Sequence, residues 1–222
     1  VRRLKKTLWT KNFTLVTAAS ALGAVGGIAG GFALSFLVFD ETGSTLASAL
    51  ILAIQLVPFF VLPLFLAPVM DRLPRKPFLV AGDLIDGVLY ALMGLYLLKF
   101  EFSYAAYLGY SLLLACLESF DELAFQSIYP KLIPEGMEQQ GYAVSTTLYP
   151  ILRVLMLPLA GVLLDAVGAA WILIGQGGLS LLAALIESNI DITEHRREGG
   201  EKLFTLRQWR ADIREAAEYL KN

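Results

Sequence analysis

The stretch from Phe13 to Phe39 reads FTLVTAASALGAVGGIAGGFALSFLVF and holds no Asp, Glu, Lys or Arg. A run this long crosses the ~30 Å hydrocarbon core of a bilayer as one helix. Arg2, Arg3, Lys5 and Lys6 precede it, as basic residues precede the apolar part of a signal peptide. The run exceeds that apolar part, however, and shows no obvious A-x-A cleavage site. It is read as a first membrane span. Five more apolar blocks follow, and their spacing predicts spans at 13–39, 46–69, 77–99, 104–128, 142–165 and 169–190.

Composition agrees across all 222 residues, of which 56% are apolar and 17% charged. Soluble domains run ~45–50% apolar and about 25% charged. The mean hydropathy is +0.62. A net charge of −2 points away from nucleic acid as a partner. One histidine and one cysteine, Cys116, leave neither an intramolecular disulfide nor a multi-ligand His/Cys metal site to expect. There is no Ser/His/Asp set, phosphate-cradling glycine loop or H-E-x-x-H, so no enzyme and no cofactor is expected.

Turn residues separate the spans: Asp40 to Ser44, Asp71 to Lys76, Lys99 to Glu101, a longer loop with Pro130, Pro134 and Gly136, and a short one from Asp165 to Gly168. In this six-span frame every Lys and Arg except Lys99 and Arg153 falls on one side. The positive-inside rule then makes both termini cytoplasmic. The expected fold is an all-α membrane protein of six transmembrane helices in two inverted three-helix repeats. Residues 1–12 form a basic cytoplasmic N-terminus, 13–190 the bundle, and 191–222 a cytoplasmic linker and connector helix. In that tail Leu203, Leu206, Trp209, Ile213, Ala217 and Leu220 recur at amphipathic spacing.

Several residues inside the spans are candidates for more than packing. Gly23, Gly27 and Gly31 lie four apart, with Gly26 and Gly30 one position over. Such stripes let helix backbones approach closely. They serve either static packing or a surface that changes partner. Pro58, Pro63 and Pro68 bend the second span, where Gln55 lies near the middle. Glu118, Asp121 and Glu122 occupy positions i, i+3 and i+4 of the fourth span, hence one face. Glu118 lies about 18 Å from the cytoplasmic end of its helix, and Arg153 on the fifth span lies at a similar depth. A pair between Arg153 and Glu118 or Asp121 is therefore expected. It either holds two helices in register or couples transport to a proton or substrate. Asp83 and Asp86, a turn apart, are read chiefly as complementing the dipole at the start of the third span. Tyr90, Tyr142, Tyr149 and Trp171 either line a pocket or anchor helices.

The run Ala67-Pro68-Val69-Met70-Asp71-Arg72-Leu73-Pro74-Arg75-Lys76 resembles the loop between helices 2 and 3 of the major facilitator superfamily, roughly G-x-x-x-D-R-x-G-R-R/K. Asp71, Arg72, Arg75 and Lys76 match it, while Ala67 and Pro74 stand at its glycines. Arg153, Pro158 and Gly161 resemble the helix-5 motif R-x-x-x-G-P-x-x-G of facilitator exporters, with Leu157 at one glycine. Trp9, Asn12 and Phe13, Thr42 to Ser44, Asp83, Phe120-Asp121, Ser127 to Pro134 and the tail from Ala211 to Leu220 are similar to the macrolide-efflux and enterobactin-exporter branch. The resemblance implies the N-terminal six-helix half of a proton-coupled exporter of small amphipathic molecules in the cell inner or plasma membrane. Its energy source would be the proton gradient, and its partners lipid, substrate and a second six-helix half. It also implies that Asp71, Arg72 and Arg75 latch a cytoplasmic gate, and that Pro158 and Gly161 shape the interface with the other half. The alternatives are a complete six-helix protein acting as a homodimer and a non-transporting remnant or scaffold.

Overall fold

The computed structural model describes residues 7–70 and 75–192. These form six helices: α1 (Lys11–Thr42), α2 (Thr45–Met70), α3 (Arg75–Lys99), α4 (Tyr104–Leu132), α5 (Glu138–Val167) and α6 (Ala169–Ser188). Among the described residues there is no strand. The first five predicted spans each lie within one helix, and the sixth, 169–190, runs two residues past the end of α6. Asp71 and Arg72, the basic residues 2–6 and the amphipathic tail lie outside the described residues.

Local chemistry sets the helix ends. Thr10 opens α1, its side-chain oxygen accepting from the Phe13 N–H at 3.3 Å. Gly43 closes α1 in the left-handed region at φ 62, where its N–H reaches the Phe39 carbonyl at 2.8 Å. Ser44 then accepts from the Ala47 N–H and opens α2. Gly168, at φ 81, makes the tight corner between α5 and α6.

Five helices, α1, α2, α3, α5 and α6, are long and apolar enough to cross a membrane by length and composition. In α4 the carboxylates Glu118, Asp121 and Glu122, with tyrosines and serines, dilute the apolar stretch. Large apolar side chains cover much of the outer surface, including Phe60, Val154, Val162, Leu182 and Leu185. A water-facing domain does not expose so continuous an apolar surface, whereas a lipid-facing one does. The protein is a multi-pass membrane protein.

The bundle centres on α6, which packs most extensively against α3 and then α1. Further contacts run between α2 and α4, α1 and α5, and α3 and α4. Glycine allows the α3–α6 approach. A Cβ on Gly177 would lie 2.5 Å from the Gly87 carbonyl oxygen, and one on Gly94 would lie 2.5 Å from that of Ala170. On α1 the close-approach glycines are Gly26 and Gly30, which meet the Gln176 side chain. Gly23, Gly27 and Gly31, the expected packing stripe, have nothing within 4 Å of a Cβ position. Of the two stripes, α6 takes the Gly26–Gly30 face, and the Gly23–Gly27–Gly31 face stays open in this bundle.

Candidate functional site

Two apolar clusters close the ends of the bundle. At the end where α1 begins, Phe13, Val16, Leu79, Ala124, Ile128 and Ile190 pack together. Toward the other end, Leu34, Val38, Tyr90, Met93, Leu114 and Leu173 do so. Between them, α3, α4 and α6 each carry polar side chains: Asp83 and Asp86, Glu118 and Asp121, and Gln176, Ser180 and Glu187. The result is a polar seam through an apolar bundle.

The seam is tied by named contacts. The Ser180 hydroxyl donates to Asp86 Oδ2 at 3.0 Å, joining α6 to α3. The Tyr90 hydroxyl donates to Glu118 Oε1 at 3.3 Å, joining α3 to α4. Asp121 presses on Gly82, where a Cβ would lie 2.7 Å from its Oδ1. Glycine at 82 is what lets this carboxyl sit against the α3 backbone. Glu187 is only 3% exposed. Asp86 Oδ1, Asp121 Oδ1, Gln176 Oε1 and Glu187 Oε2 are shielded and have no hydrogen-bond partner. Among the described residues no Lys or Arg is ion-paired with these five carboxyl groups, and no group of His, Cys, Asp and Glu could hold a metal ion.

This arrangement corrects several expectations. Arg153 does not pair with Glu118 or Asp121; it is exposed on α5. α5 packs on α1 and hardly meets the seam helices, so a matching depth does not bring the charges together. Glu122 leaves the seam as well. It is exposed and accepts from Gln126 Nε2 at 2.6 Å, because one residue past Asp121 turns a helical side chain by about 100°. Asp83 and Asp86 do not serve the α3 dipole, since the first turn of α3 has no acidic residue and both lie further along, facing α4 and α6. Gln55 is half-buried on α2 with no side-chain hydrogen bond among the described residues. Pro158 is exposed, and Gly161 faces Phe32 of α1 at 3.9 Å. Trp171 is 57% exposed.

Sequence reasoning passed over Gln176, Ser180 and Glu187. Their spacing of four and seven places all three on one face of an otherwise apolar helix, a signal visible in the sequence. Arg75 and Lys76 reach neighbouring helices: Arg75 Nη1 donates to the Ser127 carbonyl of α4 at 3.5 Å, and Lys76 Nζ to the Ser188 carbonyl at the end of α6 at 2.8 Å. The Lys76 ammonium complements the carbonyl end of α6. At the same end, Asp191 is drawn back onto α1. Lys11 Nζ donates to its Oδ2 at 2.6 Å, while Asn12 accepts from its N–H at 3.0 Å and donates to its carbonyl at 2.7 Å. The Lys11 ammonium holds the Asp191 carboxyl below the usual aspartate range.

An all-helical, lipid-faced bundle with carboxyl groups enclosed between its helices is the build of a membrane transporter. Residues 6–209 match the transmembrane secretion effector family, which is of the major facilitator type. The chain belongs to that family, whose members are normally transporters and not enzymes. No curated protein and no solved structure matches the chain.

Proposed function

We propose that this chain is one six-helix bundle of a proton-coupled exporter of small amphipathic molecules, of the macrolide or siderophore type. All six helices span the membrane in this reading, with both termini cytoplasmic. A second six-helix bundle, from the same polypeptide or from a second copy, completes an alternating-access transporter. The Gly23–Gly27–Gly31 face and α5 are the surfaces left for that partner. Asp71, Arg72 and Arg75 latch the cytoplasmic gate.

The polar seam carries the proposal. Five carboxyl groups lie among α3, α4 and α6, and no described cation neutralises any of them. Enclosing ionised carboxylates away from water is costly, so groups so placed exchange protons readily with their surroundings. The seam lies where a change in the packing of α4 against α3 would alter its access to water. Proton binding and helix packing are thereby coupled.

Dye efflux by the complete protein tests this. Cells expressing it should extrude a fluorescent amphipathic dye, and a protonophore should abolish the extrusion. Efflux that persists without a proton gradient would sink the proton-coupled reading. Efflux no greater than in cells lacking the protein, for a broad set of dyes and macrolides, would sink the exporter reading.

A further inference from the structure

A cavity of about 510 Å³ opens between α4 and α5, away from the polar seam. Its size is that of a drug-sized ligand site. Its walls are aromatic. Phe125, Tyr129 and Tyr142 form a continuous wall, with ring centroids 5.1 Å apart for the first pair and 6.0 Å for the second. Tyr149 lines the cavity from α5. The Tyr129 hydroxyl is committed to the Gly141 carbonyl at 2.8 Å. That bond fixes Tyr129, which is 5% exposed, as the floor of the cavity, while Tyr142 and Tyr149 are exposed and turn ring surface toward a ligand.

Glu122 is the one charged side chain among the lining residues. It is exposed, and Gln126 occupies only its Oε1. Arg153, one turn beyond Tyr149 on α5, does not line the cavity. Aromatic faces present negative quadrupole potential, and a single carboxylate adds a full negative charge. Together they attract a large, weakly hydrated organic cation and repel an anion of the same size. A small inorganic cation would need more oxygen ligands than one carboxylate supplies.

We propose that the α4–α5 cavity is a binding site for monovalent organic cations with an aromatic or apolar body. Glu122 supplies the countercharge, and Tyr142 and Tyr149 the stacking surface. This narrows the exporter proposed above to cationic substrates, away from acidic siderophores, and rests on that reading.

The test uses the purified chain in mild detergent. Equilibrium dialysis measures tetraphenylphosphonium and, in separate runs, tetraphenylborate, which has the same shape and the opposite charge. The wild type should hold the phosphonium and discriminate against the borate. Glu122→Gln should bind the phosphonium about tenfold more weakly. Because Glu122 is exposed, this variant should elute as the wild type does on gel filtration. Tyr149→Phe should bind normally and Tyr149→Ala weakly. The proposal is overturned by no phosphonium binding, by equal binding of the two ions, or by a Glu122→Gln variant indistinguishable from wild type. Selective binding without cation transport by the complete protein would count against the exporter reading and leave the site standing. Cation transport unaffected by Glu122→Gln would do the reverse.

Discussion

Helices α5 and α6 adjoin in sequence and share an apolar character, yet the bundle uses them in opposite ways. Of the most apolar stretch of α6, 39% is buried, against 6% in α5. The α6 helix has Gly177 where α3 needs backbone contact, and Gln176, Ser180 and Glu187 along one face. By contrast, α5 exposes Val154 and Val162 at 71% and 66% and touches mainly α1. In a membrane, apolarity does not say which helix is central, because lipid accepts a Leu as readily as a neighbouring helix does. Small residues and placed polar groups mark the centre.

The strongest way to break this contrast is steric. Gly177→Leu would force a side chain into the Gly87 carbonyl and the Ala91 N–H, both main-chain atoms less than 3 Å from its Cβ. It should destabilise the bundle by about 3 kcal/mol, read as a large drop in the thermal midpoint in detergent. Val162→Ala on α5 should cost less than about 0.5 kcal/mol. Equal losses would show that α6 is no more central than α5.

A smaller effect is expected within the seam. Ser180→Ala removes the 3.0 Å bond to Asp86 and should lower stability by about 1–2 kcal/mol. An unchanged melt would remove Ser180 from the forces that tie α6 to α3.

At the bundle end the effect is smaller still and depends on pH. Lys11 lowers the folded-state pKa of Asp191 below its unfolded value. The stabilisation is therefore full above the ordinary aspartate range and is lost as pH falls through the lowered value. Asp191→Asn should melt slightly below wild type at neutral pH. The gap should close in strong acid and shrink in high salt, because the pair is exposed. The two Asn12 bonds to the Asp191 main chain should survive the substitution. A gap that widens in acid would contradict the assignment.

The smallest effect sharpens the comparison in α1. Gly27→Ala meets nothing within 4 Å and should change the stability of the bundle by under about 0.5 kcal/mol. If a second bundle covers that face, Gly27→Leu should leave the melt intact and impair transport. A Gly27→Leu that destabilises the bundle itself would mean the face is already filled.

Much of this was legible in the sequence. Apolar runs and turn residues placed the helices, because a lipid solvent demands long, internally hydrogen-bonded segments. The α4 carboxylates were found from their spacing. What the sequence did not reveal is which helices adjoin. Arg153 and Glu118 share a depth, but α5 packs on α1, so depth alone did not imply contact. Which glycine stripe meets this bundle was hidden for the same reason: Gly23–Gly27–Gly31 and Gly26–Gly30 are equally regular, and only Gln176 on α6 distinguishes them. Glu187 lay hidden because a carboxylate near a helix end reads as a surface charge until α3 is seen beside it.

The central claim is that the seam between α3, α4 and α6 couples protons to transport and does more than hold the helices. Asp121→Asn in the complete protein, reconstituted in proteoliposomes, tests it most directly. Two rates should be compared: dye movement driven by a proton gradient, and dye exchange at equilibrium. The account predicts that driven movement is lost while exchange and the thermal midpoint are kept. Driven movement that survives the substitution, or loss of both rates together with the fold, would contradict it.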